Sequence, residues 1–275
     1  MTVTEKAQRV RLAAVRFWER CDSVAPGVLV IKGSQALALR VGAARATQDM
    51  DILHVGPSTD GDIVGQIQDI VEQATKLDRG DAYAFKLRRS SPMTKAATIR
   101  VHLAVKHAGA NLTNQLTVDL GYRRYQPAIV PDMLTPNPIL GEVLPCLPLY
   151  PIPQHIADKV CAIFEVIDGE ESDRYRDLFD LAWIATRFDD VLFDTLHDTI
   201  EREHIRRQLV VVRPFEPPSH EWESGYRDEV QKAIVDGLID EAWPDYPTAV
   251  RIVDALLFTG RTGQRWNPTT LTWLS

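Results

Sequence analysis

Three aspartates, Asp49, Asp51 and Asp119, are the carboxylates of this 275-residue chain whose neighbours suit them for chemistry. Residues two apart in a strand share a face, so Asp49 and Asp51 project together while Met50 turns the other way into the core. Two carboxylates side by side attract a cation. Hard oxygen ligands of this kind suit Mg²⁺ or Mn²⁺, with the phosphates of a nucleotide completing the coordination shell. A place for those phosphates lies just upstream, in Ile31-Lys32-Gly33-Ser34-Gln35-Ala36-Leu37. Ser34 is a good helix N-cap, and Gln35 to Arg45 is rich in Ala and Leu. Backbone N–H groups near Gly33 and Ser34 would then point at an incoming phosphate.

The elements that must hold these groups are legible as apolar patterns. Val28-Leu29-Val30-Ile31, bounded by Pro26-Gly27 and Gly33, is an unbroken apolar run that suits a buried strand. Thr47-Gln48-Asp49-Met50-Asp51-Ile52-Leu53 forms the next strand. Ile99 to Val105 alternates apolar with other residues, Gln115 to Gly121 repeats the pattern, and Gly109 to Asn114 reads as the turn between them. Asp119 lies between Val118 and Leu120, so it faces away from them and converges on the other two aspartates if its strand lies beside theirs.

An Asp-x-Asp alone also caps turns, or binds metal in glycosyltransferases. The conjunction of apolar strand, Gly-Ser, helix, Thr-x-Asp-x-Asp and a later strand aspartate resembles the nucleotidyltransferase signature of the DNA polymerase β superfamily. The resemblance implies that the Gly-Ser turn holds a triphosphate and that Asp49, Asp51 and Asp119 hold the metals.

Further along, Ile152 to Lys159 begins a helix in which Ile156, Val160, Ile163, Phe164 and Ile167 recur at helical spacing. Lys159 borders that apolar face, whereas the phase turns Asp158 towards solvent. A lysine there either snorkels or meets an anion. Arg174-Tyr175-Arg176-Asp177-Leu178-Phe179-Asp180-Leu181-Ala182-Trp183-Ile184-Ala185 is apolar nearly all round after its first turn, which describes a buried helix carrying two aspartates. Buried carboxylates need a partner, and Lys159 is a candidate.

A Lys helix followed by Arg-Asp-x-x-Asp-Leu is similar to the AbiEii family of nucleotidyltransferases, toxins of toxin–antitoxin and phage-abortive-infection systems that include the mycobacterial MenT enzymes. The likeness covers Ile31 to about Ala185. It implies a phosphate-turn role for Gly33 and Ser34, metal binding by Asp49 and Asp51, nucleotide contact by Lys159, and an essential late acidic residue. Helical phase favours Asp177 over Asp180 for that last role. Where this chain has Ser34 and Met50, family members often carry Gly and Leu. The activity implied is metal-dependent transfer of a nucleoside monophosphate from an NTP to the 3′ end of tRNA, arresting translation, with a cognate antitoxin as partner.

Eight of the 17 prolines fall between Pro127 and Pro153, a stretch poor in helix or strand formers. The expected organisation is therefore α+β: a polymerase β-like α/β domain with a mixed sheet over 1–150, then a mainly helical domain over 151–275 that contributes a Lys and an Asp to the cleft. Helices are expected at Ile156–Ile167, Tyr175–Phe188, Val191–Val212 and Tyr226–Trp243, interrupted at Arg213 to Ser219. Met1 to Arg20 reads as an amphipathic helix, and no apolar run reaches the length of a membrane span, so a cytoplasmic protein is expected. Cys21, Cys146 and Cys161 are an odd number at unrelated spacings, which argues against a disulfide framework or a zinc site. The seven histidines are likewise scattered and read as structural.

The formal net charge of −7 stands against a nucleic-acid substrate unless cations are concentrated locally. Lys86, Arg88, Arg89, Lys95 and Arg100 lie within fifteen residues around a hairpin, and Lys86, Arg88, Arg89 and Arg100 are the candidate RNA contacts. Arg123-Arg124 and Arg206-Arg207 add pairs elsewhere. Aromatic interleaving is thin, limited to Tyr83, Phe85, Tyr122 and Tyr125. Two other readings compete. One is an antibiotic-modifying nucleotidyltransferase, whose acidic cleft would suit a cationic drug. The other is a silent relative that binds a nucleotide or a partner.

Overall fold

The computed structural model describes the chain except residues 1–2, 42–48, 57–61, 94–96, 123–128, 167–168, 170–171, 210–212, 220 and 236–237. Arg45, Thr47, Gln48, Lys95, Arg123, Arg124, Tyr125, Pro127, Ile167 and Val212 thus lie outside the described residues. Two compact units follow one another, Met1–Tyr150 and Pro151–Ser275.

In the first unit the elements run α1 (Val3–Val24), β1 (Leu29–Lys32), α2 (Gly33–Val41), β2 (Asp49–His54), α3 (Ile63–Lys76), β3 (Tyr83–Met93), β4 (Thr98–His107), β5 (Ala110–Tyr122), β6 (Asp132–Leu134) and β7 (Leu147–Leu149). The seven strands form one mixed sheet in the order β3-β4-β5-β2-β1-β7-β6. β1 and β2 are antiparallel, whereas β2 and β5 are parallel. The strand carrying Asp119 therefore does lie beside that of Asp49 and Asp51. The hairpin turn is shorter than Gly109 to Asn114, because β5 begins at Ala110 and the left-handed residues Ala108 and Gly109 make the reversal.

Alternation assigns the faces. In β4, Ile99, Val101, Leu103 and Val105 are all 0% exposed and meet Met50, Ile52, Val118 and Leu120 from the neighbouring strands. α1 and α3 cover this face with Leu12, Phe17, Ile63 and Ile67. Each such buried aliphatic or aromatic side chain contributes about 1.5–3 kcal/mol. The opposite face carries Asp49, Asp51, Asp119 and Arg100, which leaves the polar residues of those strands on one side.

The second unit contains α4 (Ile152–Ile163), α5 (Tyr175–Ala185), α6 (Phe193–Arg207), α7 (Trp222–Val235), α8 (Tyr246–Phe258) and a hairpin of β8 (Arg265–Asn267) and β9 (Thr272–Leu274). α5 packs against α4, α7 and α8. Three neighbours explain why it is apolar nearly all round. Beyond Trp243, where the last expected helix ends, the chain adds α8 and the terminal hairpin, and Trp266 of β8 donates from its Nε1 to the Ala185 carbonyl, 2.6 Å away. Cys21 and Cys161 are buried, and burial pushes the Cys161 thiol up to about 12. No described helix is long and apolar enough to cross a membrane.

Candidate functional site

Strand register builds the first cluster. Lys32 of β1 pairs with Asp51 of β2, Asp51 with Asp119 of β5, Asp119 with Arg100 of β4, and Arg100 with Ser91 of β3. Paired residues share a face, so one row across the sheet reads Lys, Asp, Asp, Arg, Ser. The next row runs Asp49, Thr117, His102, Arg89. With strands spaced about 4.8 Å apart, Asp51 and Asp119 are immediate neighbours and Asp49 sits one position along.

Asp49 is exposed, while Asp51 and Asp119 are half-buried. Arg100 forms a bidentate pair with Asp119: its Nε donates to Oδ1 at 2.8 Å and its terminal nitrogen to Oδ2 at 2.6 Å. The hydrogen bond and charge of Asp119 raise the Arg100 pKa above its ordinary value, and the charges of Asp49 and Asp51 add to the effect. All three carboxylates therefore act on one cation. Arg100, expected on an RNA-binding surface, lies among the acidic residues themselves.

The phosphate turn begins one residue earlier than its N-cap assignment. α2 starts at Gly33, so Ser34 stands inside the first turn instead of ahead of it. Gly33 adopts φ of +67°, and a Cβ there would collide with the Asp51 carboxylate. Only glycine lets the turn approach the aspartate this closely. Ser34 is half-buried.

The basic residues of β3 owe their placement to a bulge. β3 is an edge strand whose register to β4 slips between Leu87 and Arg89. Simple alternation would set Lys86 and Arg88 on one face and Arg89 on the other. With Arg88 as the extra residue, Lys86 pairs with Ala104 and Arg89 with His102, so both share the face of the aspartates. All three cations are exposed. His102 is 3.5 Å from the Thr117 hydroxyl.

The second cluster belongs to the helical unit. Lys159 Nζ donates to Asp177 Oδ1 at 2.8 Å and to Asp180 Oδ2 at 2.7 Å, and Arg174 Nε donates to Asp177 Oδ2 at 2.6 Å. Lys159 thus engages both aspartates, and Asp177 alone of the two also accepts from Arg174. Burial disfavours the charge on Lys159, but Asp177 and Asp180 outweigh it and its pKa rises above the usual lysine range. Burial likewise opposes ionised Asp177, and Lys159 and Arg174 overcome it, holding that carboxyl below its ordinary value. Asp158 is not turned to solvent. Arg207 of α6 donates to its Oδ1 at 3.0 Å and also bonds Glu203 at 2.7 Å. The apolar face of α4 fixed the phase of Lys159, but the partner of Asp158 comes from a distant helix that periodicity does not reveal.

The donor set of the first cluster fits a hard divalent cation. Asp49 and Asp51 present carboxylates on one face, Asp119 stands beside Asp51, and the Gly33 turn packs directly against the Asp51 carboxylate. Among the described residues, His197, Asp198 and Glu201 of α6 also bring possible ligand atoms within 4.8 Å of one another. All three are exposed, and helical spacing alone brings such residues together.

A mixed sheet with a glycine turn leading into a helix and three strand aspartates on one face is the architecture of a nucleotidyltransferase. The description "Nucleotidyl transferase AbiEii toxin, Type IV TA system" matches residues 16–254, and the chain belongs to this family. Among solved structures it is similar to JHP933 from Helicobacter pylori, at 17% identity and a TM-score of 0.50, over 94% of each chain. That likeness concerns the fold alone. A second H. pylori structure, provisionally described as a nucleotidyltransferase, is 17% identical with a TM-score of 0.48, covering 94% of this chain and 96% of its own. No curated protein matches the chain.

Proposed function

We propose that this protein transfers a nucleoside monophosphate from an NTP to the 3′ end of tRNA and so blocks translation, with a cognate antitoxin to restrain it. The observation that carries the transfer reaction is the pairing of Asp51 with Asp119 across adjacent strands, with Asp49 on the same face and Gly33 packed against Asp51. The acceptor hydroxyl oxygen attacks the α-phosphorus, the bond from that phosphorus to the bridging oxygen breaks, and pyrophosphate leaves. Asp49, Asp51 and Asp119 would hold Mg²⁺ or Mn²⁺, which when bound neutralises the triphosphate and acidifies the attacking hydroxyl. Asp119 is suited to take up the proton of that hydroxyl. Backbone N–H groups at Gly33 and Ser34, with the Ser34 hydroxyl, hold the terminal phosphates.

Lys159 is assigned to the nucleotide, and Asp177 to the essential acidic role, by their match to the family pattern. Asp180 shares the Lys159 ammonium and belongs in the same assignment. The acceptor rests on Lys86 and Arg89, which share the carboxylate face, and on Arg88 at the bulge between them. A net-acidic protein must concentrate its cations to hold a polyanion. The test is to incubate the protein with each radiolabelled NTP and total RNA. Label appearing at tRNA 3′ ends, lost in Asp49→Ala, is the expected result. Unlabelled RNA alongside a labelled amino-sugar antibiotic would replace the tRNA reading with drug modification.

A further inference from the structure

Arg100 is a cation placed inside the acidic row of the sheet, not on a surface of its own. It lies in the row Lys32, Asp51, Asp119, Arg100, and both oxygens of Asp119 accept from its guanidinium at 2.6 and 2.8 Å. Two parallel charge-assisted bonds are the strongest arrangement a carboxylate makes with a side chain. The same two oxygens are the ones Asp119 would offer to a divalent cation, and a carboxylate engaged at both has no ready lone pair on that side. Lys32, at the other end of the row, reaches over β2 towards β5: its Nζ lies 3.8 Å from where a Cβ on Gly121 would be. The inner carboxylates are thus bracketed by cations, which stabilises clustered aspartates before any metal arrives.

We propose that Arg100 is a positioning residue that competes with the divalent cation for Asp119, holding the carboxylate in the metal-free enzyme and yielding it on loading. The proposal rests on the metal role of Asp49, Asp51 and Asp119 given under the proposed function. Arg100 is 40% exposed at its side chain, so it has room to leave. Its guanidinium stays on the carboxylate face after release, where a triphosphate or RNA phosphate can accept from it.

The measurement is Mn²⁺ binding to the full chain without nucleotide, by electron paramagnetic resonance of the free ion, for wild type, Arg100→Met, Arg100→Lys and Asp49→Ala. Removing the competitor should tighten Mn²⁺ binding about tenfold in Arg100→Met, since breaking a charge-assisted pair is commonly worth about that factor. Arg100→Lys should fall between, because a lysine cannot bond both oxygens in parallel. Should Arg100→Met fail to fold, tighter binding by Arg100→Lys supports the competition, and equal or weaker binding overturns it. Wild-type binding that Asp49→Ala abolishes, with no gain in Arg100→Met, overturns the role of Arg100 and leaves the metal site standing. No Mn²⁺ binding by any variant overturns both. A residue serving only the fold would shift melting temperatures without shifting Mn²⁺ affinity.

Discussion

The aspartates of the sheet and those of the helical unit are held in opposite ways. Asp49, Asp51 and Asp119 sit on one sheet face, one of them exposed and two half-buried, at positions fixed by backbone pairing. Asp177 and Asp180 are 4% and 8% exposed and are fixed by side-chain bonds to Lys159 and Arg174. Strand register can crowd like charges because the ladder bears the cost. A helix interior cannot, so there every carboxylate is matched with a cation. In the sheet cluster two cations flank the row, Lys32 beside Asp51 and Arg100 on Asp119, whereas in the helical cluster one lysine is shared by both carboxylates.

This contrast breaks first at Asp49→Ala and Asp51→Ala. Each should lower nucleotide transfer by about a thousandfold or more, which is about 4 kcal/mol in barrier height. Melting temperature should stay level or rise, since removing one of several clustered carboxylates relieves repulsion. A variant that keeps near-normal transfer removes the metal assignment.

Lys159→Ala should behave in the reverse sense, with a large loss of stability. Removing the cation strands two buried carboxylates, and breaking a buried pair costs about 3–5 kcal/mol. Urea unfolding measures it, and a loss under about 1 kcal/mol, the worth of an exposed pair, would show the cluster to be wetter than its burial indicates. The pH dependence follows from the shifts. Asp177 has a lowered folded pKa, so its contribution is present above the ordinary carboxylate value of about 4 and is lost as pH falls through the folded value. Lys159 has a raised folded pKa, so its contribution is present below about 10.4 and is lost as pH rises beyond it. Between those limits the helical unit should show no dependence arising from this pair.

A smaller effect is expected at the edge strand. Replacing Arg88 and Arg89 together by Glu should cut RNA labelling about tenfold or more and flatten its salt dependence by about one unit of log–log slope for each phosphate no longer held. NTP affinity should hold, because Arg89 stands three strands away from Asp49 along their shared row and Arg88 is the extra residue of the bulge. RNA labelling that survives the double reversal would move the acceptor elsewhere. Asp158→Ala gives the smallest change. Its partner Arg207 keeps Glu203, so no buried cation is left unmatched, and about 1 kcal/mol is expected in thermal unfolding.

Much of this molecule can be read from local pattern. The Met50 alternation, the apolar run into Gly33 and the all-round apolar helix at Tyr175–Ala185 each depend on a periodicity of about two or 3.6 that a sequence displays directly. The family signature rests on the same kind of information, since its motifs are short and their order is preserved along the chain. By itself, then, the sequence determined which residues form strands and helices around the acidic motifs, and that those motifs resemble a nucleotidyltransferase.

Partnership between distant segments was decided only by the tertiary structure. That Asp119 faces Asp51 on one side and Arg100 on the other depends on strand order and register, which no spacing within a single strand encodes. The bulge at Arg88 moves Arg89 onto the carboxylate face by one inserted residue, and its sequence carries no glycine or proline to announce it. Asp158 looked solvent-facing because helical phase describes one helix, whereas Arg207 reaches it from another, 49 residues away. Periodicity tells which way a side chain points; only packing settles what it meets there, because that partner is chosen by contacts between elements far apart in the chain.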